Sequence, residues 1–266
     1  LARLCSKAGR LPILRFMGPT SVQYAQQPKQ PRLSNLIKAL IFDVDGTLAE
    51  TEDAHRAAFN DTFPAFGLNW HWSRDLYREL LKTTGGKERM HAYAVHHLGI
   101  DPADIPVIDI HKRKTVRYGE LIAEGTVPLR PGIASLINDA DARGVRLAVA
   151  TTTNVPNVDA LIRATMGVPA CDVFEVIAAG DMVKAKKPAP DVYALALHGL
   201  DLRGKDCLAL EDSRNGLLSA KAAGISCVVC PSAYTDCDDF TGAVAVVQSF
   251  ENLDTITKAN MLFVPA

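Results

Sequence analysis

Residues 40–48 read LIFDVDGTL, in which an apolar run reaches Asp43 and a second aspartate, Asp45, follows one residue later before a Gly-Thr pair. A continuous apolar run is typical of a strand that is buried on both faces of a parallel sheet. A buried strand that ends on two carboxylates is unusual, because neighbouring carboxylates repel each other. The reason for this arrangement must come from what other parts of the chain place beside them.

Strands and helices alternate along most of the chain. Five further apolar runs predict strands: GVRLAVATTT, VFEVIAAGD, CLALEDS, ISCVVC and the weaker AVAVV. Helical patterns lie between them, among them ASLINDADARG, NVDALIRATMG, PDVYALALHGL and NGLLSAKAAG. This alternation predicts an α/β fold with a Rossmann-like, mostly parallel sheet that helices cover on both faces.

The connection between the first and second strands is much longer than a crossover helix requires. Its excess, residues 52–125, has helical patterns and predicts an inserted α-helical cap domain. The α/β core would then consist of residues 36–51 and 126–266. The stretches AETED and EGTVPLRPG are the candidate hinges, the second because it is rich in glycine and proline.

Residues 1–35 differ in composition from the rest of the chain. They contain six Lys or Arg, no Asp or Glu, and no apolar block long enough for a secretory signal. Such a leader resembles an organelle transit peptide, with an expression remnant or a disordered extension as the alternative. We therefore exclude this segment from the fold.

Composition excludes several classes of function. The formal net charge is −1, so no strong electrostatic field favours nucleic acid or a membrane surface. No apolar run approaches the roughly 18 residues of a membrane span. The six cysteines are too few and too scattered for a disulfide framework. Cys227 and Cys230 lie on one predicted strand and would point to opposite faces, which predicts two core thiols in a reducing compartment.

Polar residues follow the other strands as well. They are Thr151, Thr152 and Thr153 after the second strand, Lys187 after the third, and Glu211, Asp212 and Ser213 at the end of the fourth. Ligands of open α/β sheets bind outside the carboxyl ends of the strands, so we expect these side chains to meet around Asp43. Carboxylate oxygens suit Mg²⁺, which would remove their repulsion. Magnesium, carboxylates, a lysine and a hydroxyl are the parts of a phosphoryl-transfer site.

These stretches resemble the motifs of the haloacid dehalogenase-like hydrolases. DVDGT, a strand-end threonine, KKP and LEDS occur in that family's order between residues 36 and 254. The chain is most similar to the cap-bearing group that includes β-phosphoglucomutases, phosphoglycolate phosphatases and CbbY-type sugar-bisphosphate phosphatases. TTGGKER, LAVATTT and GDMV resemble the CbbY-type members, which act on xylulose-1,5-bisphosphate.

The resemblance implies a role for each core residue. Asp43 would be the nucleophile that forms an aspartyl-phosphate, and Asp45 would be the general acid and base. Thr151 would hydrogen-bond the transferring phosphoryl group, with Thr152 beside it, and Lys187 would offset negative charge, whereas Lys184 and Lys186 are expected to be solvated. The implied Mg²⁺ ligands are Asp43, the backbone carbonyl of Asp45, and Asp212, with Glu211 as a ligand or beside one.

The cap would supply specificity. Glu50 and His55 occupy positions that face the substrate in the mutase relatives, although His55 could equally serve packing. Gly86 and Lys87 in TTGGKER would bind a second phosphate through backbone amides and a charge, with a plain exposed turn as the alternative.

The expected function is a magnesium-dependent phosphatase of a small sugar phosphate, such as xylulose-1,5-bisphosphate. A sugar phosphomutase on the same scaffold is the alternative, and a non-catalytic binding module is a third. The expected partner is the small molecule alone, without nucleic acid or membrane, and family members of this type are often monomers. The leader and the resemblance to a carbon-fixation repair enzyme predict the plastid stroma, with the cytoplasm or mitochondrion as alternatives.

Overall fold

A seven-stranded sheet organises the residues that this computed structural model describes, which are residues 3–4 and 37–253. Its strands in chain order are β1 Arg3–Leu4, β2 Ala39–Phe42, β3 Arg146–Ala150, β4 Val176–Ala178, β5 Cys207–Glu211, β6 Ser226–Val229 and β7 Ala245–Val246. The order across the sheet is β1-β4-β3-β2-β5-β6-β7. β1 pairs with β4 in antiparallel fashion, and the other pairs are parallel. All six predicted strands are present, so the α/β prediction is confirmed.

Nine α-helices accompany these strands in the described part of the chain. They are α1 Glu52–Thr62, α2 Arg74–Leu80, α3 Gly86–Tyr93, α4 Val107–Ala123, α5 Ile133–Ala142, α6 Val155–Met166, α7 Ala170–Val173, α8 Asp191–Leu200 and α9 Arg214–Ala222. A π-helical turn, Ala94–Leu98, follows α3, and short 3-10 turns lie at Phe63–Phe66, Pro102–Asp104, Gly180–Met182, Gly204–Asp206 and Phe250–Asn252. Since α1 to α4 lie between β2 and β3, the inserted helical cap is confirmed.

Strand β2 lies at the centre of the sheet and separates two apolar layers. Its four residues are buried, with Leu40 and Phe42 in one layer and Ala39 and Ile41 in the other. This alternation follows from the twofold period of side chains along a strand. Helices pack on both of these apolar layers and shield the sheet from water.

The two cysteines near β6 follow the same rule. Cys227 packs in one apolar layer and Cys230 in the other, and both are buried. They therefore lie on opposite faces of the sheet, as the spacing predicted.

The cap has an aromatic core of its own. Phe59, Phe63, Trp70, Trp72 and Tyr77 pack together, with Trp72 4.9 Å from Phe63 between ring centroids. One core residue joins this cluster, because the ring of Tyr234 lies 5.9 Å from that of Tyr77. The cap is therefore packed against the segment that follows β6.

Two short linkers join the cap to the core, and they pair with each other. Ala49 forms an antiparallel bridge with Leu129, and the amide of Arg130 donates to the carbonyl of Leu48 over 2.8 Å. This places the candidate hinges side by side, next to the turn that carries Asp45.

Two sequence predictions concern the ends and surroundings of the chain. The leader prediction covers residues 1–35, which apart from strand β1 lie outside the described residues, so it stays a prediction. Within residues 37–253, no helix combines the length and the apolar character that crossing a bilayer would require.

Candidate active site

The register of the parallel strands brings the predicted catalytic residues to one edge of the sheet. Phe42 pairs with Val149 on β3 and with Leu210 on β5, and the amide of Asp43 donates to the carbonyl of Leu210 over 3.0 Å. The residues that follow these positions therefore lie level with one another. Asp43, the threonines after β3 and the carboxylates at the end of β5 meet for this reason.

Lys187 is the centre of a buried network of charges. Its ammonium nitrogen lies 2.7 Å from Asp43 Oδ1 and 2.5 Å from Glu211 Oε1. Tyr193 on α8 donates its hydroxyl to the same Glu211 oxygen over 2.6 Å. Burial alone would lower the pKa of Lys187, but the attraction of Asp43 and Glu211 raises it. Lys187 therefore stays charged and fixes the orientation of Asp43.

Three carboxylates crowd the same point. Asp43, Glu211 and Asp212 each place an oxygen within 4.8 Å of the others, and all three are buried. Burial, with the negative charge of Glu211, outweighs the attraction of Lys187 and raises the pKa of Asp43 to about 7. Burial and the charges of Asp43 and Glu211 also raise the pKa of Asp212 well above its usual value. This crowding is unfavourable without a cation.

The same cluster fits a divalent metal. Glu211 Oε2 is buried without a hydrogen-bond partner among the described residues, and buried carboxylate oxygens normally have one. Oxygen-only ligand sets are those that hard cations prefer. The chain therefore has an acidic cluster that can hold a metal ion, formed by Asp43, Asp212 and Glu211.

Asp45 faces away from this cluster, towards the cap. Its Oδ1 accepts a hydrogen bond of 2.6 Å from the hydroxyl of Thr51 and lies 3.0 Å from Nε2 of His55. The other ring nitrogen of His55 lies 2.5 Å from the ammonium of Lys114. An ammonium group can only donate, so Nδ1 accepts and the Nε2 proton points at Asp45. The ring is further held by stacking on Tyr118, at 3.9 Å between centroids.

This network sets the charge of Asp45. Burial would raise the pKa of Asp45, but His55, the hydrogen bond from Thr51 and the charge of Lys114 lower it to about 2. Burial and the neighbouring Lys114 lower the pKa of His55, so the imidazole is neutral when Lys114 is charged. Asp45 is therefore an anion beside these neighbours, and its position depends on two cap residues.

A cavity of about 550 Å³ lies between these groups and the cap. Asp43, Asp45, His55, Lys187 and Asp212 line it, together with Gly86, Lys87 and Thr152. Basic side chains surround it from both domains: Arg78, Lys82, Lys87 and Arg89 from the cap, and Lys186 and Arg214 from the core. A cavity of this volume, with positive groups on its walls, suits a small anionic ligand.

Helix starts contribute to the same cavity. Asn154 caps α6 through the amide of Asn157 at 3.0 Å, and Ser213 caps α9 through the amide of Gly216 at 3.2 Å. The partial positive charge at the start of a helix attracts anions. Both caps hold their helix starts beside the carboxyl ends of β3 and β5.

Three predicted residues lie elsewhere than the sequence suggested. Glu50 does not line the cavity; it pairs with Arg130 at 3.3 Å, and Glu52 lines the cavity in its place. The reason is that Glu50 belongs to the linker, whereas Glu52 begins α1 and faces inward. Lys186 is not freely solvated: it lines the cavity and donates to the carbonyl of Gly180. Thr151 is fully buried at the end of β3 and does not line the cavity, which Thr152 lines instead; the hydroxyl of Thr151 accepts from the amide of Thr153 at 3.2 Å.

Lys114 is a residue of this site that was not predicted from the sequence. It is 4% exposed, and it shares the buried face of α4 with Val107, Ile110, Tyr118 and Ile122. A lysine within an apolar stripe at helical spacing was a detectable signal, because buried lysines almost always have a specific partner. Tyr193, which binds Glu211, gave no comparable signal, since buried tyrosines are common in helices that pack on a sheet.

Comparisons with known proteins agree with this geometry. The model of the haloacid dehalogenase-like hydrolases matches residues 37–224. Protein CbbY of Cereibacter sphaeroides is 57% identical over 218 residues, which are 82% of this chain and 94% of that protein. A crystal structure of CbbY from Rhodobacter sphaeroides in complex with phosphate superposes with a TM-score of 0.80 at 55% identity, covering 84% of this chain and 98% of that one.

A mutant of the same Rhodobacter sphaeroides protein has been solved in complex with xylulose-(1,5)bisphosphate, and it matches this chain with the same identity, coverage and TM-score. The family match covers well over half of the chain, and the similarity to CbbY spans nearly the whole length of that protein. The chain therefore belongs to the haloacid dehalogenase-like hydrolase family, among its CbbY-type members.

Proposed function

We propose that this protein is a magnesium-dependent phosphatase that hydrolyses a small sugar bisphosphate, of the class of xylulose-1,5-bisphosphate, through an aspartyl-phosphate on Asp43. The observation that carries the proposal is the position of Asp43. Its buried carboxylate is held by Lys187 at 2.7 Å and faces a cavity with cationic walls. The CbbY relative that binds xylulose-(1,5)bisphosphate supports the choice of substrate class.

Asp43 is placed for attack on phosphorus. Lys187 binds Oδ1, so we assign Oδ2 as the attacking oxygen. The attack forms an Oδ2–P bond and breaks the bond between phosphorus and the sugar oxygen. Lys187 stays charged throughout and offsets the negative charge that gathers on the transferring group. A magnesium ion held by Asp43, the Asp45 carbonyl and Asp212, with Glu211 beside it, would neutralise part of the charge of the substrate and of these carboxylates.

Asp45 is placed to move the proton. Beside His55, Thr51 and Lys114 it is ionised, with its pKa lowered to about 2. A phosphate dianion beside it raises this pKa, because like charges favour the protonated form. Asp45 would then give its proton to the leaving sugar oxygen and later take one from the water that hydrolyses the aspartyl-phosphate. The hydrogen bonds from Thr51 and His55 keep Oδ1 in place during both steps.

The second phosphate of a bisphosphate would lie under the cap. Gly86 and Lys87 begin α3 and line the cavity, and Lys186 reaches the same space from the core. A side chain at position 86 would collide with the ring of His111 and press on that of Phe59, so glycine lets the backbone approach these rings without displacing them. We assign this turn to the phosphate that is not transferred. Thr152 beside the transferring group completes the substrate-binding set.

The test is the release of phosphate from a panel of sugar monophosphates and bisphosphates, with Mg²⁺ and with a chelator. We expect hydrolysis that requires the metal and that is fastest with a pentulose bisphosphate. A product that is an isomeric sugar phosphate, seen by ³¹P NMR without free phosphate, would indicate the mutase. Binding without turnover of any substrate would indicate a non-catalytic module. Sedimentation of the same sample tests whether the chain is a monomer.

A further inference from the structure

Arg130 lies outside the cavity walls, yet it contacts the segments that carry the catalytic groups. It belongs to the second linker, just before α5, and its side chain is only 10% exposed. The guanidinium lies over the ring of Phe250 at 5.7 Å from the centroid. An arginine that is buried to this extent normally has several hydrogen-bond acceptors.

Its donors bind three main-chain carbonyls and two side chains. Nη1 donates to the carbonyl of Gly46 and, over 2.8 Å, to that of Cys230. Nη2 donates to the carbonyl of Pro231 over 2.8 Å and contacts Cys230 Sγ at 3.2 Å. Nε lies 3.3 Å from Glu50 Oε1. These contacts use the whole planar fork of donors, which a lysine could not reproduce.

The first of these segments is the turn after Asp45. The guanidinium of Arg130 donates to the carbonyl of Gly46. The backbone amide of Arg130 donates to the carbonyl of Leu48 over 2.8 Å. One residue thus fixes both ends of the turn. Gly46 has a φ of +86° and lies so close to Asp212 that a side chain there would collide with the carboxylate. The turn is closely confined, also by the hydrogen bonds that the amides of Gly46 and Leu48 donate to Ala49 and Val44, and Arg130 is the donor that orients the carbonyl of Gly46.

The second segment is the loop after β6. Arg130 binds its first two carbonyls, and the hydroxyl of Thr235 further along donates to the carbonyl of Asp212 over 2.8 Å. The third contact is Glu50 on the first linker. Arg130 thus connects the turn of Asp45, the loop that supports Asp212 and the start of the cap.

We propose that Arg130 is a positioning residue for the general acid Asp45, acting through the carbonyl of Gly46, and that Glu50 orients Arg130 rather than substrate. The proposal rests on the role of Asp45 in the proposed function. Without the guanidinium, the carbonyl of Gly46 loses its donor and the peptide that carries it can reorient, which shifts the carboxylate of Asp45 relative to the leaving oxygen. Asp43 and Lys187 are held by β2 and Glu211 and keep their positions.

A misplaced general acid slows substrates with poor leaving groups more than substrates with good ones, whereas a general structural defect slows both equally. p-Nitrophenolate leaves phosphorus without taking a proton, whereas phenolate is a poorer leaving group and benefits from one. The two substrates, p-nitrophenyl phosphate and phenyl phosphate, are almost the same size and offer the cap the same contacts. The ratio of their kcat/KM values therefore measures how much general-acid catalysis by Asp45 contributes, because kcat/KM covers the steps up to transfer of the phosphoryl group.

The experiment compares R130M with the wild type on these two substrates, at a temperature where circular dichroism shows both proteins folded. We expect kcat/KM for phenyl phosphate to fall at least about tenfold more than that for p-nitrophenyl phosphate, as part of the hundredfold or more that a placed acid supplies. D45N sets the upper limit of this ratio. E50Q should shift the ratio in the same direction by a smaller factor.

R146M is the matched control. Arg146 is also a partly buried arginine that binds a carboxylate, Glu175 at 2.8 Å, and a main-chain carbonyl, that of Leu200. It lies at the start of β3, at the opposite end of the sheet, so R146M should lower the unfolding temperature and leave the ratio unchanged. If R130M does not fold, R130K takes its place, and the same change in the ratio is expected.

Equal losses on both substrates, in R130M or in R130K, would overturn the proposal and leave Arg130 a purely structural residue. A wild type that hydrolyses neither substrate nor any sugar phosphate would instead refute the proposed function, and this inference with it.

Discussion

The ammonium nitrogen of Lys114 lies 2.5 Å from Nδ1 of His55, and Nε2 of His55 lies 3.0 Å from Asp45, so a cap lysine is connected to a core carboxylate through one imidazole ring. Burial and repulsion from Arg89 lower the pKa of Lys114 to about 7, and the attraction of Asp45 and Glu52 only partly offsets them. Lys114 therefore carries its proton below about pH 7 and loses it above. A neutral amine no longer fixes the proton of His55 on Nε2.

The first prediction concerns this relay. The activity on a sugar phosphate should fall as the pH rises through about 7, because a neutral Lys114 amine can also accept a hydrogen bond and no longer holds the His55 proton on Nε2. Lys114→Met should be slower by about tenfold or more below that pH and should lack this alkaline decline. The measurement is kcat against pH for both proteins.

Lys112→Met is the control for the relay. Lys112 lies on the same helix, its side chain is 74% exposed, and it pairs with Asp109 at 3.3 Å. Its loss should leave both the rate and the pH profile unchanged. If the Lys114→Met enzyme had the wild-type dependence of kcat on pH, Lys114 would have no role in catalysis.

The second prediction concerns the nucleophile. Asp43→Asn is nearly isosteric and keeps the carboxyl end of β2 filled, so the fold should remain intact. Turnover should be lost, because removal of one member of a catalytic group costs many powers of ten. Phosphate release and the unfolding temperature are measured together. Retention of more than about a tenth of the wild-type rate would show that Asp43 is not the nucleophile.

The third prediction concerns the second phosphate. Lys87→Ala should reduce kcat/KM for a pentulose bisphosphate by about ten- to a hundredfold, the effect of losing a charge-assisted contact of about 1.5–3 kcal/mol. The activity on p-nitrophenyl phosphate should change little, since that substrate has no second phosphate. Lys184→Ala is the control, because Lys184 is exposed and does not line the cavity. Equal losses on both substrates would assign Lys87 to the chemistry or to the fold.

The fourth prediction concerns a glycine beside the buried network. A methyl group on Gly216 would overlap the carboxylate of Glu211, which accepts hydrogen bonds from Lys187 and Tyr193. Gly216→Ala should therefore displace Glu211, lower kcat by about tenfold or more and destabilise the fold by about 1–3 kcal/mol. Activity and denaturant unfolding are the two measurements.

Gly119→Ala is the matched substitution. Gly119 lies inside helix α4, and a methyl group there would have open space around it apart from its own stretch of helix. Alanine should stabilise that helix by about 0.5–1 kcal/mol without affecting turnover. If Gly216→Ala also left turnover unchanged and did not destabilise the fold, the position of Glu211 would not depend on the space beside Gly216.

The fifth prediction concerns the compartment. Residues 1–35, fused to a fluorescent protein, should enter plastids, because an acid-free leader with several arginines is typical of a transit peptide. Fluorescence microscopy of a plastid-bearing cell is the measurement. Diffuse cytosolic fluorescence would refute the plastid assignment, and mitochondrial fluorescence would support the organellar alternative.

Part of this site was accessible from the sequence because it depends on local patterns. Apolar runs such as residues 39–42 specify buried strands, and the carboxyl ends of parallel strands share one edge of the sheet. The residues that follow those runs therefore had to meet, which is why Asp43, Lys187 and Asp212 lie together as the motif order implied. The inserted helical cap followed in the same way, from the length of one connection.

The tertiary structure decided which cap residues reach the core. Helical spacing placed Lys114 in an apolar stripe but did not indicate its partner, His55, which lies 59 residues earlier in the chain. Similarly, nothing in the spacing separated Glu50, which turns to Arg130, from Glu52, which faces the cavity. A periodic pattern fixes the face of a helix on which a residue lies. What that face meets depends on how the cap packs on the core, and this is set by contacts between residues far apart in sequence.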